Sequence, residues 1–293
     1  MTTVRFVHIS DTHVGPTPDY ELWGYRPYAM LEALVEHIHA LPFSPDFVLH
    51  TGDITQDASD EAYRLAFSAL KRLNAPLYCL TGNHDHPNAL SLEWLGEGSG
   101  SERLDYSRTI GGIRLLVYDT RGPVRPGERL PMHAAGTLTD AQLAHLREQC
   151  ASNDGDPLIL ALHHQPIKLD SSWLDEGFDD DGVCETMMLE CADEFLEAIA
   201  PARGRICGVF FGHVHRGFQV IKDGILFCSA PSALLQFKSY PGQTTPIKAQ
   251  DELPGFNLVT IQDGQTTVRG YTFARPTPPP SGRGEEYVSF TNT

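Results

Sequence analysis

The chain has 293 residues, of which 41% are hydrophobic and 20% charged, which is enough apolar material for one large domain. Its formal net charge is −16, from 22 basic and 38 acidic residues, so its surface repels a polyanion such as nucleic acid. No apolar run approaches the roughly 20 residues that span a bilayer, and the N-terminus lacks the pattern of a signal peptide. We therefore expect a cytoplasmic protein without a membrane or large nucleic acid partner.

The first part of the chain alternates between two kinds of apolar pattern. Strand-like and helical patterns follow one another at 3–10, 30–41, 46–50, 59–74 and 76–80. Ser59 suits the N-cap of the second helix, and Pro42 and Pro45 end the first. This order predicts a parallel sheet layer with helices outside it.

The second part predicts three hairpins and a further pair of strands. Gly111-Gly112, Asp223-Gly224 and Asp263-Gly264 are two-residue turn signals between strand-like runs. Additional helices and strands are predicted at 139–150, 158–162, 184–200 and 206–211.

Two segments have unusual composition. Residues 168–183 are rich in acid, and we interpret them as a solvated loop. The alternative is a lid over a site, in which Trp173 and Phe178 offer flat surfaces. The proline-rich segment that starts at Arg275 cannot build a core alone. We therefore divide the chain into a catalytic domain at 1–274 and a tail at 275–293, which leaves a homodimer or higher oligomer open.

Polar side chains follow five strand-like runs, at the point where each run stops. In chain order they are Asp11 and His13, Asp53, then Asn83, His84 and Asp85, then His163 and His164, then His213 and His215. In a mostly parallel sheet such ends lie side by side, and ligands bind there. We expect these side chains to converge.

Seven of these residues are candidate metal ligands: Asp11, His13, Asp53, Asn83, His163, His213 and His215. Imidazole and carboxylate suit manganese, iron and zinc. Seven side chains exceed what one ion usually takes while leaving room for a substrate. Two divalent ions with one bridging carboxylate account for the number, and such pairs suit in-line displacement at phosphorus.

The ordered motifs resemble those of the calcineurin-like metallophosphoesterases. They are Asp11-x-His13, Gly52-Asp53, Gly82-Asn83-His84-Asp85, His163 and Gly212-His213-x-His215. Within that superfamily the chain is similar to the bacterial class III cyclic nucleotide phosphodiesterases and the related glycerophosphodiesterases. One departure is Gln165-Pro166, which stands where the subgroup usually has two prolines.

The resemblance implies an α/β fold, a four-layer α/β/β/α sandwich with two mixed sheets. It assigns one ion to Asp11, His13, Asp53 and His215, and the other to Asp53, Asn83, His163 and His213, with Asp53 bridging. A metal-bridging hydroxide would attack phosphorus in line. His84 would face the substrate phosphate and stabilise or protonate the leaving oxygen, with Asp85 orienting it. We expect Asn83 and His84 to contact the substrate. We assign the ligand to His163, which directly follows its strand, and leave His164 as a residue that either supports the ligands or contacts the substrate.

The activity so implied is hydrolysis of small phosphodiesters, with 3′,5′-cyclic nucleotides first and glycerophosphodiesters next. One alternative is a broad-specificity phosphomonoesterase that uses the same ions. Another is a scaffold protein that keeps the fold without activity. The scaffold is the weakest of these hypotheses, because a degenerate relative would be expected to lose ligands and none is missing.

Overall fold

The computed structural model describes residues 3–98, 100–122, 134–152, 155–177 and 186–276. The first sheet contains, in spatial order, β13 (Gln265–Thr272), β12 (Gly255–Gln262), β1 (Val4–Ile9), β2 (Phe47–His50) and β3 (Leu77–Cys79). The second contains β4 (Tyr106–Ile110), β5 (Ile113–Val117), β6 (Leu158–Ala161), β7 (Ile206–Phe211), β9 (Ile225–Ser229) and β8 (Gln219–Lys222). A short ribbon pairs β10 (Phe237–Lys238) with β11 (Ile247–Lys248).

Both sheets are mixed: the first has antiparallel strands on one side only, and the second has an antiparallel strand at each edge. Strands β1, β2 and β3 are parallel, and β12 and β13 join them antiparallel. In the second sheet β5, β6, β7 and β9 are parallel, while β4 and β8 are antiparallel edge strands. All three predicted hairpins are confirmed. Their turns have positive φ at both central positions, as a type I′ hairpin turn requires.

Helices form the two outer layers. The helices α1 (Pro27–His39), α2 (Asp60–Leu70) and α3 (Pro87–Leu95) pack in sequence beside the first sheet. On the other side α4 (Asp140–Ala151) packs against α6 (Ala192–Ile199), and α5 (Ser172–Asp175) is a single turn. Thr139 forms a capping box with Gln142 at the start of α4. No helix within the described ranges is long and apolar enough to cross a membrane.

An aromatic layer lies between the two sheets. Because side chains alternate along a strand, Phe6 of β1 faces the second sheet while Val7 faces the helices. The Phe6 ring stacks on Phe47 at 4.6 Å between centroids and meets Phe210 of the second sheet edge-on at 5.1 Å. Each of these rings is buried. The predicted four-layer sandwich is therefore confirmed.

Two helical predictions were incomplete. The helix α3 was not predicted, although Pro87 at its first turn and the left-handed Gly96 at its end are ordinary helix boundaries. The helix predicted at 184–200 begins later, at Ala192. Residues 188 and 189 instead form isolated parallel β-bridges with Gln165 and Gly136, respectively. This stretch is therefore extended rather than helical.

The acidic segment 168–183 contains the short helix α5 where only loop was predicted. Its Trp173 is fully buried and meets the ring of Phe237 at 5.8 Å. The alternative in which Trp173 offers a flat surface from a lid is therefore wrong. Phe178, the other ring of that alternative, lies outside the described residues.

The first residue of the predicted tail is anchored to the domain. The Arg275 guanidinium donates to the carbonyl oxygens of Gln250, at 3.0 Å, and of Glu252, and it lies over the Tyr25 ring. The preceding Phe273 is buried. The body of the domain thus includes Arg275, while residues 277–293 lie outside the described part and their assignment as a tail stays a prediction.

We expect Phe6→Ala to lower the free energy of unfolding by about 3–5 kcal/mol, because it removes a ring that contacts both sheets. Urea unfolding followed by circular dichroism measures this. Tyr240→Ala is the matched control, since that ring is 58% exposed. The control should shift stability by no more than about 0.5 kcal/mol. Equal effects of the two substitutions would contradict the aromatic layer.

Candidate metal centre

Six of the seven candidate ligands bring their ligand atoms together in one buried cluster at the carboxyl ends of β1, β2, β6 and β7, and the seventh, Asn83, is buried just after β3. The Nε2 atoms of His13 and His215 lie 3.0 Å apart. The Asp53 Oδ2 atom lies 3.6 Å from His13 Nε2 and 3.3 Å from His163 Nε2. The sequence pattern suggested a single sheet, but three of these strands belong to the first sheet and two to the second. Convergence therefore depends on how the two sheets pack.

The ligand atoms form two neighbouring groups, which approach each other at His13 and Asp53. One contains Asp11, His13 and His215, and the other contains Asp53, His163 and His213; within each, the ligand atoms lie within 4.8 Å of one another. His13, Asp53 and His84 form a third such group, which links the other two. Asn83 lies beside Asp53, since the His84 N–H donates to Asp53 Oδ1 at 2.9 Å. The Asn83 Oδ1 atom is buried without a hydrogen-bond partner among the described residues.

The backbone of this cluster is strained. Five candidate ligands have left-handed φ: Asp11 (56°), His13 (46°), Asp53 (53°), His213 (69°) and His215 (48°). Such conformations cost about 1–3 kcal/mol each and persist only where the surroundings enforce them. Here the loops enforce one another, because the Asp11 and His13 N–H groups donate to the carbonyls of Gly52 and Asp53 at 3.1 and 3.0 Å.

Glycines precede the ligands because the loops touch. A Cβ on Gly82 would lie 2.1 Å from Asp53 Oδ1, and one on Gly212 would lie 1.9 Å from Ser10 Oγ. Neither distance is compatible with a side chain. The glycines of the Gly-Asn and Gly-His motifs are therefore required by close packing of one ligand loop on another.

Backbone carbonyls fix the tautomers of three histidines. His163 Nδ1 lies 2.6 Å from the Thr51 carbonyl, His215 Nδ1 lies 3.0 Å from that of Leu235, and His213 Nε2 lies 2.8 Å from that of Ala134. A carbonyl only accepts, so the contacting nitrogen carries the hydrogen and the other nitrogen of a neutral ring keeps a lone pair. For His163 and His215 that other atom is Nε2, which points into the cluster.

Burial and neighbouring charges set the protonation of the cluster. Burial lowers the pKa of His13 and His213 well below the usual value and lowers the pKa of His215 to about 4, so these rings are neutral. Burial raises the pKa of Asp11 to about 7. For His163 burial lowers the pKa, but the charge of Asp53 outweighs it and raises the pKa to about 9.

The same charges act on Asp53. Burial would raise its pKa, but His163 and His84 keep the pKa well below the ordinary value. Asp53 is therefore an anion surrounded by imidazole nitrogens. The cluster thus offers neutral imidazole nitrogens, the ionised Asp53 carboxylate and the unpaired Asn83 amide oxygen. These donors suit a transition-metal site without thiolates.

The comparisons with known proteins agree with this chemistry. A family model described as calcineurin-like phosphoesterase matches residues 4–217. The chain belongs to this family. The resemblance recognised in the motifs is thereby confirmed, and the family implies divalent metal ions at the cluster.

Relatives of this phosphoesterase carry two kinds of name. A 3′,5′-cyclic-nucleotide phosphodiesterase of Nostoc is 27% identical over 91% of each chain. A probable glycerophosphodiester phosphodiesterase, GpdQ, of Arcobacter nitrofigilis is 25% identical over 77% of each chain. Among solved structures, a dimetal phosphatase from Danio rerio has a TM-score of 0.66 at 14% identity and covers 94% of this chain and 97% of its own. The last likeness shows the fold.

In this phosphoesterase Asp85 does not orient His84 as expected. Its carboxylate accepts hydrogen bonds from the N–H groups of Ile54, Thr55 and Gly82, at 3.0 to 3.2 Å, and from the Tyr63 hydroxyl. The ring of His84 is instead fixed through Nδ1, which lies 2.9 Å from the Gln56 carbonyl. Asp85 therefore joins the two loops that carry Asp53 and Asn83.

The contacts of His164 match one of the two roles left open for it, the support of a ligand. It is fully buried, its Nδ1 lies 2.7 Å from Thr120 Oγ1, and its ring lies 4.5 Å from that of His213. The His164 ring therefore packs against the His213 ring, and no part of His164 is exposed. The neighbouring Gln165 donates to Leu174 and Asp175 of α5, away from the cluster.

Several contributors to the phosphoesterase centre were missed. The Ser232 hydroxyl donates to the Asp11 carbonyl at 3.0 Å, and the Phe237 ring stacks on His215 at 4.9 Å. Trp23 lies beside His13 and His215. A signal for Ser232 was present, since Ala230-Pro231-Ser232 follows the end of β9 as the ligands follow theirs.

We expect Asp85→Asn to lower the free energy of unfolding by about 1–3 kcal/mol, because an amide leaves at least one loop N–H without an acceptor. Chemical denaturation measures the change. Asp57→Asn is the control, since Asp57 is exposed and, among the described residues, its carboxylate accepts from Ser59 alone. Full stability combined with lost turnover would instead indicate that Asp85 acts on the His84 ring.

Proposed function

We propose that this protein is a dinuclear metal-dependent phosphodiesterase of small diesters, with 3′,5′-cyclic nucleotides as the first candidates. The observation that carries the proposal is the position of the Asp53 carboxylate, whose Oδ2 atom lies within 3.6 Å of His13 Nε2 and 3.3 Å of His163 Nε2, between two neighbouring groups of candidate ligands. Two divalent ions bound there would neutralise charge that develops on the phosphoryl oxygens and would activate water.

The donor atoms suggest how the ions would be divided. Asp11, His13, Asp53 and His215 would hold one, and Asp53, Asn83, His163 and His213 would hold the other. Manganese, iron and zinc all suit this set. The carbonyl contacts of His163, His213 and His215 would orient each ring before an ion binds, which favours affinity because little rearrangement is needed.

His84 is the candidate proton donor. It is half-buried, whereas the histidines among the candidate ligands are buried, so it is the ring that can meet a substrate. The Gln56 carbonyl engages Nδ1. The protonated ring would then keep the Gln56 contact and give its Nε2 proton to the leaving oxygen.

Small diesters are favoured over polymers and monoesters. The charge of −16 repels nucleic acid, and the Nostoc relative is named for cyclic nucleotides. Such a substrate also suits a cytoplasmic location. The second candidate is a glycerophosphodiester, as in the name of the Arcobacter relative. A homodimer or higher oligomer remains part of the proposal, with no membrane or large nucleic acid partner.

His84→Ala should retain both ions and lose about 10²–10⁴ in kcat, because it removes only proton transfer. Asp53→Ala should lose metal and turnover together, because it removes a ligand that both groups share. Metal analysis and turnover of bis(p-nitrophenyl) phosphate separate the two. His145→Ala is the control, since that ring is exposed and contacts Tyr118. A His84 variant without metal would contradict the assigned role.

After reconstitution with manganese, iron or zinc, kcat/KM for 3′,5′-cyclic AMP and bis(p-nitrophenyl) phosphate should exceed that for p-nitrophenyl phosphate by about tenfold or more, a difference of about 1.4 kcal/mol in the barrier. Linear DNA should stay intact in a gel assay. Faster hydrolysis of the monoester would favour a phosphomonoesterase. Turnover of glycerophosphodiesters but not of cyclic nucleotides would favour the second candidate.

A further inference from the structure

A tight turn beside the cluster carries a residue that its backbone disfavours. Leu22 and Tyr25 exchange two backbone hydrogen bonds, of 2.8 and 2.9 Å, around Trp23 and Gly24. Both central residues have positive φ, 53° for Trp23 and 80° for Gly24. Turns of this type favour Asn-Gly or Asp-Gly, and a bulky aromatic residue at positive φ is an outlier.

Two other turns of the chain show what this backbone normally carries. Asp223-Gly224, between β8 and β9, has φ values of 51° and 80°, and Asp263-Gly264, between β12 and β13, has 54° and 76°. Both follow the usual preference. Among these three turns, the exception is the one that borders the cluster, and an observed outlier there points to function.

The Trp23 indole forms one side of the cluster. Its ring centroid lies 5.8 Å from that of His215 and 6.1 Å from that of His13, and Phe237 supports it at 5.5 Å. The Lys248 ammonium lies over the ring, 6.0 Å from its centroid. Trp23 is half-buried, so part of this residue remains accessible.

Buried neighbours hold the turn in place on the side away from the cluster. Tyr25 is fully buried, and the Arg275 guanidinium lies 5.0 Å from the centre of its ring while donating to the Gln250 carbonyl. Pro27 begins α1 directly afterwards. The indole is thereby positioned before any ligand arrives, so little ordering is needed on binding.

We propose that Trp23 and Lys248 form a binding surface for a planar, uncharged ring of the diester, such as a nucleobase. This inference rests on the proposed function and specifies its substrate class. An indole stacks well on a base, and the Lys248 ammonium, 6.0 Å from the ring centroid, attracts the anionic phosphate. The same ammonium repels a cationic head group such as choline. The surface therefore ranks cyclic nucleotides above glycerophosphocholine.

Binding of two product-like ligands tests the surface. Adenosine 5′-monophosphate and ribose 5-phosphate share a phosphate and a sugar and differ by the base. Calorimetry on the metal-loaded wild type should show that the nucleotide binds about tenfold more tightly, the size expected of one base–aromatic stack. Trp23→Leu should abolish that difference while leaving ribose 5-phosphate binding and metal content unchanged.

Two further variants separate the base from the charge. Trp94→Leu is the matched control, because Trp94 bonds the Leu77 carbonyl at the far end of β3, and it should keep the preference for the nucleotide. Lys248→Gln should weaken both ligands by a similar factor, because its charge acts on the phosphate that they share.

Three results would overturn the assignment. They are an unchanged nucleotide preference in Trp23→Leu, an equal loss of both ligands in that variant, and Trp23-dependent binding of phosphocholine that is tighter than nucleotide binding. A failure of the proposed function would give another pattern of results. The wild type would then hydrolyse no diester, but it would still bind the nucleotide more tightly than ribose 5-phosphate. Trp23→Leu would still lose that difference.

Discussion

The packing of the Asp53 loop against the Gly82-Asn83-His84 loop is the contact on which the site depends. Asp53 accepts the His84 N–H, and no side chain fits at Gly82 beside it. Its other oxygen faces His13 and His163. One carboxylate therefore sets the separation between residues that approach from both sheets, and any shift of either loop would move both groups of ligands.

The fold stabilises an arrangement that is locally unfavourable. Left-handed backbone at five candidate ligands and burial of several titratable groups both oppose folding. Two features offset this cost. The aromatic layer around Phe6 packs the two sheets together, and the Asp85 carboxylate accepts hydrogen bonds from the ligand loops. The stable part of the molecule lies between the sheets and beneath the loops, while the strain is concentrated where chemistry is expected.

The turn at Trp23 extends the same principle beyond the metal ligands. A disfavoured backbone is again kept in place by buried neighbours, here Tyr25 under Arg275. The result is an aromatic surface whose position does not depend on the substrate. Ligand residues and the adjoining surface thus belong to one preorganised unit, in which the C-terminal end of the described chain takes part through Arg275.

The sequence by itself determined most of the strands, the hairpin turns and the identity of the candidate ligands, but not the short ribbon of β10 and β11. Each ligand directly follows an apolar run, so Asp53 or His213 can be located from local pattern alone. Only the tertiary structure decided that the runs divide between two sheets, since sheet assignment depends on long-range packing. It also decided which groups support the ligands. The carbonyls of Gln56 and Leu235 carry no residue signature, and the donors to Asp85 include residues about thirty positions away in sequence. The strained turn at Trp23 was hidden for the same reason, because the sign of φ there is set by its neighbours in space.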